Sequence, residues 1–429
     1  MTVRFDDAWL RSRGLADELA AGGVDVVLSR DVVGRISLIV GGADTDLDLA
    51  GLSSRMTESA GPYAGAVPAL SLSDTGLSSE FFEPPRVVIL HERESGRGRL
   101  AVMEQGVVGA EWRTIAEAPS TRRVTLYSYK GGVGRSTAAV MLARELAERG
   151  RCVLVVDLDL ESPGISSLLL TEDTHPDHGL ADFLVESLVG NESGLDLVTR
   201  SPLVKPSGNG EVWVGSAAGR SRDGYTYLPK LNRAYIDTPE HTFARRLDAA
   251  VTACETAVQE LSRPPDHVLL DSRAGIHDIA AVAITDLSDL SLLFATDSPQ
   301  TWSGYRKLLA QWAQSPDSAR LIRERLRMVA PMVPSAVRRD AYLARFRDHA
   351  QECFASTVYD DAEPDDPDAY SPAVNDIGAP HSPLPILFSS ELIGLDPAAN
   401  PDWHRSEFVR TAYSEFLQTA VGLVSGTEQ

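Results

Sequence analysis

Between residues 130 and 160 the chain carries, in order, three closely spaced glycines (Gly131, Gly132, Gly134), two hydroxyls (Ser136, Thr137) and two carboxylates (Asp157, Asp159). These are the groups a polyphosphate and its counter-ion would need. Glycine lets the backbone take positive φ and come close to a ligand. Successive amides then point into one concavity at the positive end of the helix that follows, where phosphate oxygens can be held by main chain alone. Ser136 is placed to put its hydroxyl on a Mg²⁺ ion, and Thr137 to reach a neighbouring phosphate. A glycine-rich turn that binds nothing is the alternative reading of the same residues.

The flanking pattern supplies the elements that must position these groups. Val124, Thr125 and Leu126 read as a short strand running into the glycines. Ala139, Leu142, Ala143, Leu146 and Ala147 then repeat at helical spacing, and Gly150 stops the helix. Val153 to Val156 form an unbroken apolar run, which suits a strand inside a parallel sheet with both faces covered, and it ends in Asp157-Leu158-Asp159. The result is a strand–loop–helix–strand unit whose acidic end lies at the carboxyl edge of the sheet, where such folds bind ligands.

The general phosphate-loop pattern has glycine where Tyr129 stands and lysine where Arg135 stands. The deviant form K-G-G-x-G-K-[ST]-T, by contrast, fits seven of the eight positions from Lys130 to Thr137. On these residues the chain resembles the ParA/MinD group of P-loop ATPases, in the variant K-G-G-V-G-R, over roughly Arg122 to the C-terminus. The resemblance implies an α/β fold, a mostly parallel P-loop sheet flanked by helices. It also implies ATP and Mg²⁺ as cofactors and a homodimer formed around nucleotide. Gly131, Gly132, Val133, Gly134, Arg135, Ser136 and Thr137 would line the phosphates, and Lys130 would reach across the dimer to the partner's nucleotide. Asp157 would lie near the metal shell, and Asp159 would orient the attacking water. His267 to Gly275 looks like the second acidic strand end of such proteins. There Asp271 would hold the metal with Ser136, and the Gly275 N–H would sense the γ-phosphate. Arg273 reads equally as a phosphate contact or a structural ion pair. In relatives the loop matching Pro331 to Pro334 often holds the base, but no side chain here distinguishes adenine from guanine. Systems with this motif variant are bacterial and often multi-gene, which implies a regulated protein partner.

Composition weights the motif. Of 40 basic residues only Lys130, Lys205, Lys230 and Lys307 are lysine, so a lysine beside the glycines suggests a need for a compact ammonium. A length of 429 residues exceeds one typical domain. Residues 1–118 read as an α+β accessory module for docking or regulation, and residues 119–429 as the nucleotide domain. In the first module, helices are expected over Asp7–Ala21 (carrying Trp9, Leu10, Leu15 and Leu19) and Asp46–Glu58, with strands at Val24–Ser29 and Arg35–Val40. A Ser/Gly/Pro-rich run follows, Ser59–Pro85, then a hairpin from Arg86–His91 to Arg99–Glu104. Glu117–Arg123 reads as a linker and Asp360–Asp368 as a mobile acidic loop.

Cys152, Cys254 and Cys353 are far apart in sequence, neither a disulfide framework nor a zinc pattern, which fits a reducing cytoplasm. His175 and His178 lack further ligands at metal spacing. The N-terminus does not read as a secretory signal, and no apolar run is long enough to span a membrane. A net charge of −21 argues against a surface that attracts nucleic acid as a whole. Eight arginines between Arg320 and Arg347 read as solvated helix faces in preference to a DNA-binding patch. A closing helix, Asp402–Val424, is expected to bury Phe408, Val409, Ala412, Phe416 and Ala420. It lacks the basic rim of a membrane-lying helix.

Overall fold

A computed structural model describes residues 3–31, 33–41, 47–76, 83, 87–105, 115, 123–221, 223, 225–237, 242–334, 336–361, 369–393, 399–400 and 402–426. The chain divides into two compact units, Met1–Thr114 with Gln314–Ser318, and Ile115–Ala313 with Ala319–Gln429. The expected boundary at 118/119, the linker residues 117–122 and residues 362–368 of the acidic run lie outside the described residues.

The N-terminal unit runs α1 (Phe5–Ala21), β1 (Asp25–Arg30), β2 (Ile36–Gly41), α2 (Leu49–Ala60), β3 (Ala64–Ser71), β4 (Val88–His91) and β5 (Leu100–Glu104). Its sheet has the order β3-β2-β1-β5-β4. The β4–β5 pair is antiparallel, as the hairpin reading requires, while β1–β5 and β2–β3 are parallel. Leu15, Ala16 and Ala20 of α1 and Leu52 and Met56 of α2 bury with Leu28, Leu38 and Leu100 of the sheet in one core. Leu10 points to solvent, because the buried stripe of α1 passes through Ala8, Ser12, Leu15 and Ala16. The Ser/Gly/Pro-rich run contains β3, whose small residues and Pro68 disguise it. As an edge strand it tolerates a residue without an N–H.

The second unit runs β6 (Arg123–Ser128), α3 (Arg135–Glu148), β7 (Cys152–Asp157), α4 (Ile165–Leu169), α5 (Leu180–Glu186), β8 (Val198–Arg200), β9 (Glu211–Gly215), α6 (Leu228–Ala234), α7 (Phe243–Leu261), β10 (His267–Asp271), α8 (Asp278–Thr285), β11 (Leu290–Phe294), α9 (Pro299–Trp312), α10 (Pro316–Arg323), β12 (Leu326–Val333), α11 (Arg339–Ala355), β13 (Leu384–Leu387) and α12 (Glu407–Ser425). Its sheet has the order β13-β12-β11-β6-β10-β7-β9-β8. Only the β8–β9 pair is antiparallel. Every residue of β6, β7 and β10 is buried, the pattern of central parallel strands covered on both faces. One apolar layer contains α3 and α12, and the other α5, α7 and α8. In α12 the buried stripe is Val409, Ala412, Tyr413, Phe416 and Ala420. Phe408, expected inside, is 69% exposed, since it stands a third of a turn away from that stripe.

This order makes β6 the switch point. The chain crosses from β6 to β7, later inserts β10 between them, and then continues outward through β11 on the other side of β6. The carboxyl ends of β6, β10 and β7 therefore open into one crevice.

Candidate functional site

The loop between β6 and α3 forms an open cradle. Gly132 and Gly134 hold φ of 75° and 79°, a region that favours glycine, and Gly134 caps α3. A Cβ at Gly131, Gly132 or Gly134 would meet no atom within 4 Å, so the space over the loop is empty. Val133 is the exception in direction: its side chain is buried in the core, which pins the loop and leaves only its backbone for a ligand. Thr137 is half-buried in the first turn of α3. Tyr129, in place of a glycine, does not block the cradle. Its ring lies on α9 against Gly304, with centroids 6.3 Å from Tyr305. Lys130 donates to Gln300 Oε1 in the first turn of α9.

Register brings the acidic groups together. Asp271 pairs with Asp157 on one side and Leu126 on the other. Ser136 Oγ donates to Asp271 Oδ2 at 2.6 Å, and Arg135 Nε donates to Asp271 Oδ1 at 2.7 Å. A second guanidinium nitrogen of Arg135 is 3.6 Å from Asp159 Oδ2. Arg135 is almost wholly buried. Burial alone would lower its pKa, but Asp271, then Asp159 and Asp157, raise it. Burial raises the Asp159 pKa against the pull of Arg135.

Asp157 anchors the loop that follows it. It is fully buried and accepts from the amides of Asp159, Gly164 and Ser166, each at 3.2 Å, and from Ser166 Oγ at 2.7 Å. Burial, and then the neighbouring Asp271, push its pKa up to about 7. Both oxygens of Asp157 thus hold the 158–166 loop. Ser136 and Asp271 do suit Mg²⁺: they are hard oxygen donors facing each other at the mouth of the cradle. No group of three His, Cys, Asp or Glu side chains that could hold a metal unaided exists among the described residues, His175 and His178 included. The Gly275 amide, expected to sense a γ-phosphate, donates to Ser128 O at 3.0 Å, so a phosphate would have to take it from that carbonyl.

Sequence reading missed the groups that brace this site. Glu161 lies within 2.5 Å of an Arg273 nitrogen, accepts from Tyr235 Oη at 2.5 Å, and lies 3.3 Å from His277 Nε2 at the start of α8. Arg273 is thereby an ion-pair partner. Ser166 and Gln300 carried no signal in the sequence. Gly304 did, as an isolated glycine inside a helical pattern.

Residues 120–220 match the family model described as ParA: NUBPL iron-transfer P-loop NTPase. Over these residues the chain is similar to that family. The matched segment contains the cradle, α3, β7 and both aspartates of the D-x-D. Among curated relatives, the iron-sulfur cluster carrier protein of Salmonella typhimurium is 33% identical over 160 residues, 36% of this chain and 41% of that protein. The chromosome-partitioning ATPase Soj of Thermus thermophilus is 38% identical over 81 residues, 19% of this chain and 32% of that protein. The chain thus spans well under half the length of either relative. A ParA family ATPase from Chlorobium tepidum superposes with a TM-score of 0.42 at 16% identity, over 70% of this chain and 99% of that one.

Proposed function

We propose that this chain is a Mg²⁺–ATP-dependent switch ATPase that dimerises around nucleotide, hydrolyses it slowly, and signals to a protein partner in the cytoplasm through its N-terminal unit. The observation that carries this reading is the Ser136–Asp271 hydrogen bond beneath an open glycine cradle. It joins a hydroxyl to a carboxylate that together would hold a metal beside the place a triphosphate would occupy. When bound, Mg²⁺ would neutralise the phosphate charge. The chain's own contribution is positioning: cradle amides and Arg135 orient the phosphates, Lys130 extends toward a second copy, and Asp159 orients water. Purified protein with ATP and Mg²⁺ is expected to release phosphate, and Asp159→Ala to lower that rate by about 100-fold. Unchanged release in Asp159→Ala would remove Asp159 from the reaction. A non-hydrolysing nucleotide scaffold is the second reading. It is favoured by the burial of Arg135 in ion pairs with Asp271 and Asp159, and ATP retained without phosphate release would support it.

Two further roles suggested by relatives fit this chain poorly. The cysteines do not suit an iron–sulfur cluster as cargo. Cys152, Cys254 and Cys353 lie on β7, α7 and α11, all buried, with burial pushing their thiols up to about 11, 12 and 12. The arginine-rich stretch is largely engaged within the chain. Arg323 pairs with Asp360, Arg339 with Glu415 and Arg345 with Asp297, while Arg327 donates to the carbonyls of Glu324 and Leu326. Binding to DNA is accordingly not favoured. Among the described residues no helix is long and apolar enough to cross a membrane.

A further inference from the structure

Arg135 stands where the general phosphate-loop pattern has lysine, and its guanidinium faces the acidic end of β10. Nε takes one oxygen of Asp271 at 2.7 Å, Ser136 takes the other at 2.6 Å, and a terminal nitrogen of Arg135 lies 3.6 Å from Asp159. Both oxygens of Asp271 are therefore engaged, one by Ser136 and the other by a permanent organic cation. Resting on the nucleotide reading above, we propose that Arg135 is a tethered counter-ion. It keeps divalent metal out of the nucleotide-free site and is exchanged for Mg²⁺ only when a polyphosphate arrives.

The physical argument has three steps. Asp271 is 1% exposed, so removing its counter-charge without a replacement would leave a buried, unpaired carboxylate. A guanidinium does not deprotonate, so it leaves only if it gains another acceptor. Free metal offers none and is repelled by the same charge. A triphosphate does offer one: its oxygens accept the planar fork in pairs, and the space above Gly131, Gly132 and Gly134 is open to receive it. Once the fork has turned toward phosphate, Asp271 and Ser136 become available to the metal that the nucleotide brings. The planar fork lets one side chain meet Asp271 and Asp159 together, through Nε and a terminal nitrogen. A lysine ammonium, as a point charge, has no such spread.

Mn²⁺ binding followed by electron paramagnetic resonance on the full chain tests this without reference to turnover. Nucleotide-free wild type is expected to leave Mn²⁺ free. Arg135→Gln is expected to gain a site at least about tenfold tighter, lost again when Asp271→Asn is added. A non-hydrolysable ATP analogue should give wild type the same single Mn²⁺ site. Equal Mn²⁺ affinity in nucleotide-free wild type and Arg135→Gln would overturn the proposal. Arg135→Met, which keeps the buried volume, carries the same two outcomes if the glutamine variant does not fold. Failure of wild type to take up the analogue would overturn the ATPase reading instead, while the nucleotide-free comparison would still judge whether Arg135 excludes metal.

Discussion

A tyrosine at position 129 needs somewhere to put its ring, and Gly304 of α9 supplies the room. A Cβ at residue 304 would lie 2.3 Å from Tyr129 Cε1, closer than packed atoms come. Gly304→Ala is therefore expected to force the ring off α9 and disturb the loop that continues into Lys130 and Gly131. We expect about a tenfold loss in affinity for a non-hydrolysable ATP analogue by calorimetry, restored in the Tyr129→Ala/Gly304→Ala double variant. Unchanged affinity in the single variant would show that the ring moves without consequence. At this scale the sequence reveals backbone roles well and side-chain alliances poorly. The glycines, Ser136 and Asp271 were legible because each has a fixed position relative to a strand end. The anchoring of Asp157 by Ser166, and of Lys130 by Gln300, depends on loops folding back, which no local spacing encodes.

Between elements, Asp297 joins the end of β11 to two helices. It accepts from Trp302 Nε1 of α9 at 3.0 Å and Arg345 Nε of α11 at 3.2 Å, and lies 2.8 Å from His349 Nδ1 of α11. Burial would raise its pKa, but the bonds from Trp302, His349 and Arg345 outweigh that and hold it below the usual aspartate value. A carboxylate with a depressed folded pKa adds stability above its unfolded pKa, and that stability is lost as pH falls through the folded one. Asp297→Asn is thus expected to cost about 2 kcal/mol at neutral pH. The gap from wild type should close in melts run progressively below about pH 4. A gap independent of pH would assign the loss to packing. The pairing of these helices was not legible in the sequence, because an aspartate between two helices leaves no periodic trace. β3 was missed for the opposite reason: an edge strand of small residues with a proline lacks the branched apolar run that marks β6, β7 and β10.

At the scale of the whole chain, two units with their own cores should respond to different insults. Met56 is wholly buried in the N-terminal core, so Met56→Ala is expected to cost about 2–5 kcal/mol and to lower one calorimetric transition. The ATP analogue should raise a different one. One transition moved by both would mean that the units unfold together. Light scattering with the analogue is expected to show a doubled mass, and an unchanged mass would leave the switch without its dimer. The change in motif content is what divides the sequence into an accessory and a nucleotide module. What the first unit recognises was not, since its residues carry no chemistry that names a ligand. Glu161 finally has a consequence for output. One carboxylate ties the loop bearing Asp159 to Arg273, to the start of α8 and to Tyr235, so a movement of that loop would break or drag those contacts. Any stroke begun there is handed to its neighbours, whose Leu228, Ile236 and Ile276 already stand in solvent. If the chain works as the proposed switch, the news of a spent nucleotide would leave the molecule as a shift in an oily outer contour, far easier for another protein to feel than a single moved charge.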